Sequence, residues 1–183
     1  MSFFAVIDTE TNWADRVMSI GTVIADADTF EVISAKYHII PEECAIGGMY
    51  EDALYVESPV PAIACSREEA LKALTAWFAE HRIRAVFAYN ASFDRNHLSE
   101  LAGYDWYDIM RLAAYRQFNP KIPACADCYS TGRMKRGYGV EPMLRMLSGK
   151  KAYSETHNAL HDALDELEIM RLLGYKICDY IPL

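Results

Sequence analysis

Phe3-Phe4-Ala5-Val6-Ile7-Asp8-Thr9-Glu10-Thr11 is the stretch on which the reading of this 183-residue chain turns. Five apolar residues in a row predict a strand buried on both faces. Side chains alternate along a strand, so Asp8 and Glu10 project to the same side. Two carboxylates held that close are costly unless a proton or a cation lies between them. Oxygen ligands of this kind suit a hard divalent ion. Taken alone, the pair leaves a metal site and a merely strained strand end both open.

Outward from this strand, residues 17–25 and 30–40 read as two further strands joined by the turn-like Asp26-Ala27-Asp28, and tight connections predict an antiparallel meander. Residues 41–65 lack a clean period and are expected to form a long surface connection. Ser66-Arg67-Glu68-Glu69 is a capping box opening a helix to about residue 81, with Leu71, Leu74, Trp77 and Phe78 on its apolar face. A short buried strand is expected at 85–89, a helix at 92–102, and a strand at 106–110 running into a helix that ends near 117. Residues 119–139 break every pattern and read as an insertion. A short helix is expected at 141–147 and a long one at 157–173, with Leu160, Leu164, Leu167, Ile169 and Leu172 as its apolar positions. No linker or repeat divides residues 1–183, so a single domain is expected.

A hydrophobic fraction of 52% suits a globular protein, and a net charge of −8 argues against binding nucleic acid by bulk charge. The cations are uneven, however. Lys and Arg crowd into residues 111–151, where only Asp127 and Glu141 oppose them. Most such runs are simply solvated faces. No stretch is apolar enough to cross a bilayer and no signal peptide opens the chain, so no membrane partner is expected. Five scattered cysteines point to a reduced, cytoplasmic protein. Cys125-Ala126-Asp127-Cys128 has zinc-knuckle spacing but lacks a second ligand pair. His157 and His161 stand four apart, as in zinc peptidases, but Asn158 occupies the place of the required Glu. His161 is therefore expected to be an exposed helix residue.

Two more acids sit at element boundaries: Asp94 at the start of a helix after a strand, and Asp162 five residues after His157. Either alone fits a favourable interaction with the helix dipole. Together, Ile7-Asp8-Thr9-Glu10-Thr11, Tyr89-Asn90-Ala91-Ser92-Phe93-Asp94 and His157-Asn158-Ala159-Leu160-His161-Asp162 resemble, in order and spacing, the three motifs of the DEDDh 3′-to-5′ exonucleases. That group includes the proofreading subunit of bacterial replicative DNA polymerase and ribonuclease T. The resemblance spans about residues 3–174. Two features depart from it: Tyr89 stands where many members carry His, and the 119–139 segment is longer than in a minimal member.

The resemblance implies an α/β, RNase H-like fold. Its mixed central sheet has three antiparallel strands, then parallel strands reached through helices. The element order read above agrees with it. It also implies two Mg2+ or Mn2+ ions, with Asp8 bridging both. Glu10 and Asp162 would complete the site of the ion that holds the attacking water. Asp94 would support the second ion and His157 would act as general base. The nearby acids are expected to raise the pKa of His157 until metal binds, and residues 150–156 before it are expected to be mobile. Thr11, Asn12, Trp13, Asn90 and Phe93 are the expected substrate contacts, with Trp13 a candidate for stacking on the last base. The activity implied is 3′-to-5′ hydrolysis, with single-stranded DNA ends as the leading substrate and RNA trimming as the alternative. A non-catalytic subunit that binds nucleic acid or a polymerase is a third reading. The expected partner is nucleic acid with a free 3′ end, and a homodimer and a DNA polymerase stay open as further partners.

Overall fold

The computed structural model describes residues 2–183. Six strands form one mixed sheet: β1 (Phe3–Thr11), β2 (Val17–Asp26), β3 (Val32–Ile39), β4 (Ala62–Ala64), β5 (Ala85–Ala88) and β6 (Asp105–Asp108). Their order is β4-β3-β2-β1-β5-β6. The β1–β2 and β2–β3 pairs are antiparallel, while β3–β4, β1–β5 and β5–β6 are parallel. The helices are α1 (Pro41–Cys44), α2 (Arg67–Glu80), α3 (Ser92–His97), α4 (Met110–Ala113), α5 (Val140–Ser148) and α6 (Ala159–Leu173).

The strand period explains why the sheet carries a core on each face. Ala5 and Ile7 of β1 pack with Leu74 and Phe78 of α2. Phe4 and Val6 point the other way and share a cluster with Leu160, Ala163 and Leu167 of α6. Asp8 and Glu10 continue the parity of Phe4 and Val6, which directs both toward the α6 side.

Gly21 of β2 is paired with Asp8 in the sheet register. A Cβ on Gly21 would overlap the Ala159 carbonyl and the Leu160 amide. The missing side chain therefore lets the first turn of α6 settle onto the sheet beside Asp8. Two caps fix the helix ends. Ser66 and Glu69 form the expected capping box on α2. On α6, the Asn158 side-chain oxygen accepts from the Leu160 and His161 amides, and Gly174 closes the helix at φ 71°.

Several elements differ from the sequence expectation. The 41–65 connection contains α1, a 3-10 turn at Glu51–Tyr55 and the edge strand β4. All three residues of β4 are exposed, so they carry no apolar alternation to read. The helix expected at 92–102 breaks at Leu98 into α3 and a 3-10 turn at Ser99–Leu101. The helix expected to reach 117 stops at Ala113, whose carbonyl accepts from the Asn119 side-chain amide at 2.7 Å. His157 lies outside α6, in the left-handed region at φ 57°. All five cysteines are free thiols. Among the described residues, no helix is long and apolar enough to cross a membrane.

Candidate active site

The acids singled out from the sequence gather where β1 leaves the sheet. Asp8, from β1, is half-buried with its Oδ2 atom out of solvent, in a field of other carboxylates. Asp94, in the first turn of α3, is buried and accepts a hydrogen bond from the Thr9 hydroxyl at 2.8 Å. Asp162 lies in the first turn of α6 and is also buried. Glu10 sits at the rim. One ligand atom each from Glu10, His157 and Asp162 lie within 4.8 Å of one another.

A further acid belongs to this group. Glu166, one helical turn after Asp162, is buried on the same face of α6 and feels the charges of Asp94, Asp162 and Asp108. The i,i+4 spacing from Asp162 was the available signal for it. Thr9, which orients Asp94, likewise went unread. Tyr50 lies in the long connection and stacks on the His157 ring, with centroids 3.8 Å apart and planes inclined by 11°. Nothing in the sequence marked Tyr50, because the contact joins two irregular segments.

Burial and mutual repulsion push these carboxyls upward. Burial, then the charges of Asp94 and Glu166, holds Asp8 well above the usual carboxylate range. Glu10 is raised to about 8 by burial and by Glu155 and Asp94. Burial raises Asp94 against the opposing Thr9 hydrogen bond. Burial and the charges of Glu155 and Glu10 raise Asp162. Burial also dominates at Glu166. His157 moves opposite to expectation: burial lowers its pKa, and only Glu141 pulls it upward. The cause is desolvation of a ring stacked on Tyr50, while the neighbouring Glu10 and Asp162 are themselves pushed toward their neutral forms and add little charge. The segment before it is fastened at several points. Arg145 donates to the Tyr153 carbonyl at 2.7 Å, the Tyr153 hydroxyl bonds Asp165, and the Glu155 amide donates to Glu141 at 3.0 Å.

The residues expected to contact substrate fall into different settings. Thr11 ends β1 at a register shift opposite Val17. Asn12 is buried, and its side chain is spent inside the protein. Its amide donates to the Glu43 carbonyl and carboxylate, and its oxygen accepts from the Ala14 and Arg16 amides. Asn12 thus builds the β1–β2 turn. Trp13 is 68% exposed beside Gly47. Asn90 is exposed at φ 62°, and its backbone amide donates to Asp108 at 2.9 Å. Phe93 is partly exposed with its ring against His97. His161 is half-buried rather than exposed, and its Nε2 meets the Glu57 carbonyl at 2.8 Å.

The donor set fits a divalent cation. Asp8 Oδ2, Asp162 Oδ1 and Glu166 Oε2 are buried with no hydrogen-bond partner among the described residues. Buried acceptors left unpaired in one place are unfavourable unless something positive fills the gap. Carboxylate oxygens of this kind suit a hard divalent ion.

Comparison with solved structures shows which known proteins share this fold. The whole chain superposes on 96% of the nuclease domain of 3′hExo, a DEDDh family member bound to rAMP, with TM-score 0.66 and 14% identity. A 3′-exonuclease solved in recognition of the histone mRNA stem-loop gives TM-score 0.66 and 14% identity, over all of this chain and 70% of that one. A zinc-bound form of the E. coli ExoI–ssDNA complex gives TM-score 0.56 and 16% identity, over 94% of this chain and 40% of that one. The sequence matches no protein-family model and no curated protein. The chain has the fold of the DEDDh exonuclease nuclease domains, an RNase H-like mixed sheet flanked by helices.

Proposed function

We propose that this chain is a divalent-metal-dependent 3′-to-5′ exonuclease that hydrolyses phosphodiester bonds from the 3′ end of single-stranded nucleic acid, with DNA as its main substrate. The observation that carries the proposal is the pair of buried, unpartnered carboxylate oxygens, Asp8 Oδ2 and Asp162 Oδ1, at the exit of a central strand, with His157 within reach of Asp162. A purely structural domain has no reason to bear that repulsion.

Asp8, Glu10, Asp94 and Asp162 would hold two Mg2+ or Mn2+ ions. When bound, such ions supply an activated water and neutralise charge on the leaving oxygen. Thr9 holds the Asp94 carboxylate in one orientation. His157 takes the proton of the attacking water. Burial keeps its imidazole neutral near pH 7, the state in which a ring nitrogen can accept. Tyr50 holds the ring flat against one face. Trp13 and Phe93, the exposed aromatics beside the site, offer faces for the terminal bases. Thr11 and Asn90 supply polar groups at the rim, and Asn12 shapes the turn beneath them.

RNA trimming is the second reading, favoured by the similarity to a 3′-exonuclease that recognises an mRNA stem-loop. End-labelled DNA and RNA single strands, incubated with Mg2+, Mn2+ or chelator, separate the readings. Metal-dependent shortening of DNA from its 3′ end supports the first, and shortening of RNA alone the second. No degradation with either ion overturns both. Full activity in an Asp8→Ala protein overturns the assigned roles.

A further inference from the structure

The segment between α4 and α5 is irregular but anchored. Bridges join Tyr115 to Arg133 and Cys128 to Met134, and the Met134 amide donates to the Ala114 carbonyl at 3.0 Å. Its outer face repeats one motif. The Arg133 guanidinium lies over the Tyr129 ring at 5.0 Å and the Tyr138 ring at 5.1 Å. The Lys135 ammonium approaches Tyr129 from 5.8 Å while also pairing with Asp127 at 3.0 Å. Tyr129 remains 47% exposed and Tyr138 37%. Among the described residues, Arg133 and Arg136 have no carboxylate partner.

The place of this face gives it meaning. The Tyr138 carbonyl accepts a hydrogen bond from the Tyr89 hydroxyl. Tyr89 follows β5, stands one residue before Asn90, and has its backbone amide against the Glu166 carboxylate. The segment that carries these aromatic rings and cations is therefore tied, through Tyr138 and Tyr89, to the edge of the carboxylate cluster.

Arg–Tyr stacking alone could stiffen a loop. It does not explain rings left open to solvent, nor guanidiniums left unneutralised in a chain of net charge −8. We propose that this face binds the single strand on the 5′ side of the scissile bond, with Arg133 and Arg136 against phosphates and Tyr129 and Tyr138 as stacking faces. The inference rests on the exonuclease reading and adds to it a strand-binding surface supplied by the insertion. The positive track also lets an acidic protein approach a polyanion with its own acidic site in front.

The test compares the wild-type chain with Arg133→Ala/Arg136→Ala, Arg136→Ala alone and Tyr129→Ala. The first readout is anisotropy of a labelled, phosphorothioate-linked oligothymidylate over a salt series. Removing two phosphate contacts should flatten the slope of log affinity against log salt by about 1.4, at roughly 0.7 per contact for single strands. The second readout is the ratio of kcat/KM for a long oligonucleotide to that for a dinucleotide too short to reach the face. That ratio should fall about tenfold in the double variant and severalfold in Tyr129→Ala. Arg136 is exposed and makes none of the ring contacts, so its single variant tests the surface without loosening the stack. An unchanged slope and an unchanged ratio overturn the strand surface and leave the exonuclease reading standing. Wild-type protein that degrades neither substrate overturns the exonuclease reading itself, and this inference with it.

Discussion

Replacing Glu10 with Gln should stabilise the metal-free protein while abolishing its response to metal. Burial and the charges of Glu155 and Asp94 push the Glu10 carboxyl from its ordinary value of 4.5 to about 8. At pH 7 the folded chain thus keeps a proton that the unfolded chain gives up. The distance from 4.5 to pH 7 is worth about 3 kcal/mol at roughly 1.36 kcal/mol per pH unit. Gln has the shape of the protonated acid and escapes that cost. Residual solvent contact at the rim reduces the expected gain to about 2–3 kcal/mol, or a Tm rise of about 4–12 °C for a chain of this size. The sign with pH follows from the raised value. Because the folded state binds more protons, the stability Glu10 contributes is fully present below pH 4.5 and is lost as pH climbs toward 8. The advantage of the variant should therefore shrink below about 1 kcal/mol at pH 5 and be complete at pH 8. Thermal melts in chelator at both pH values, repeated with Mg2+ and Mn2+, read all of this. An advantage equal at both pH values would refute the charge argument. A metal-induced Tm rise in Glu10→Gln as large as in wild type would refute the placement of Glu10 among the ligands.

His157→Ala should slow turnover about 10²–10⁴-fold, with affinity for a single-stranded oligonucleotide changed only severalfold, as single-turnover kinetics and anisotropy would report. Gly21→Ala should cost about 3 kcal/mol, because the new methyl collides with α6 backbone, and the urea midpoint and the metal-induced Tm rise should fall together. Asn158→Ala should lower stability by about 2–3 kcal/mol in urea melts. It removes the α6 cap and the amide that donates to the Tyr37 hydroxyl and the Ala53 carbonyl at 2.9 Å.

What the sequence conveyed about the fold followed the strength of local signals. β1 to β3, α2 and α6 have long apolar patterns and capping residues, and each stands within a few residues of its expected place. β4 and α3 are short, and tertiary contacts rather than pattern set their ends. β4 exists because β3 offers it an edge, with Tyr37, His38 and Ile39 opposite Ala62, Ile63 and Ala64. The four acids were legible because they lie on motifs joined to strong elements. Tyr50 was not, since its partner His157 is 107 residues away and both sit in irregular backbone. Asn12 was legible as a site neighbour but not in its role, because only the fold reveals that Glu43 claims its amide.

The same helix explains why the acids converge before any cation arrives. Leu160, Ala163 and Leu167 of α6 join Phe4 and Val6 of β1 in one core, and Gly21 removes the obstacle to close approach. Burying side chains of that size yields about 1.5–3 kcal/mol each for the larger ones. That gain opposes the cost of bringing Asp162 and Glu166 down beside Asp8. The core thus preorganises the carboxylates, and on the reading proposed above a metal would meet groups already placed. It follows that weakening this packing, as with Leu167→Ala, should cost metal affinity as well as about 2–5 kcal/mol of stability. Titration of Mn2+ into that variant would distinguish the two ideas. Wild-type affinity in a destabilised protein would mean that the ion gathers its own ligands, whereas weakened affinity means that the hydrophobic face of α6 does the gathering.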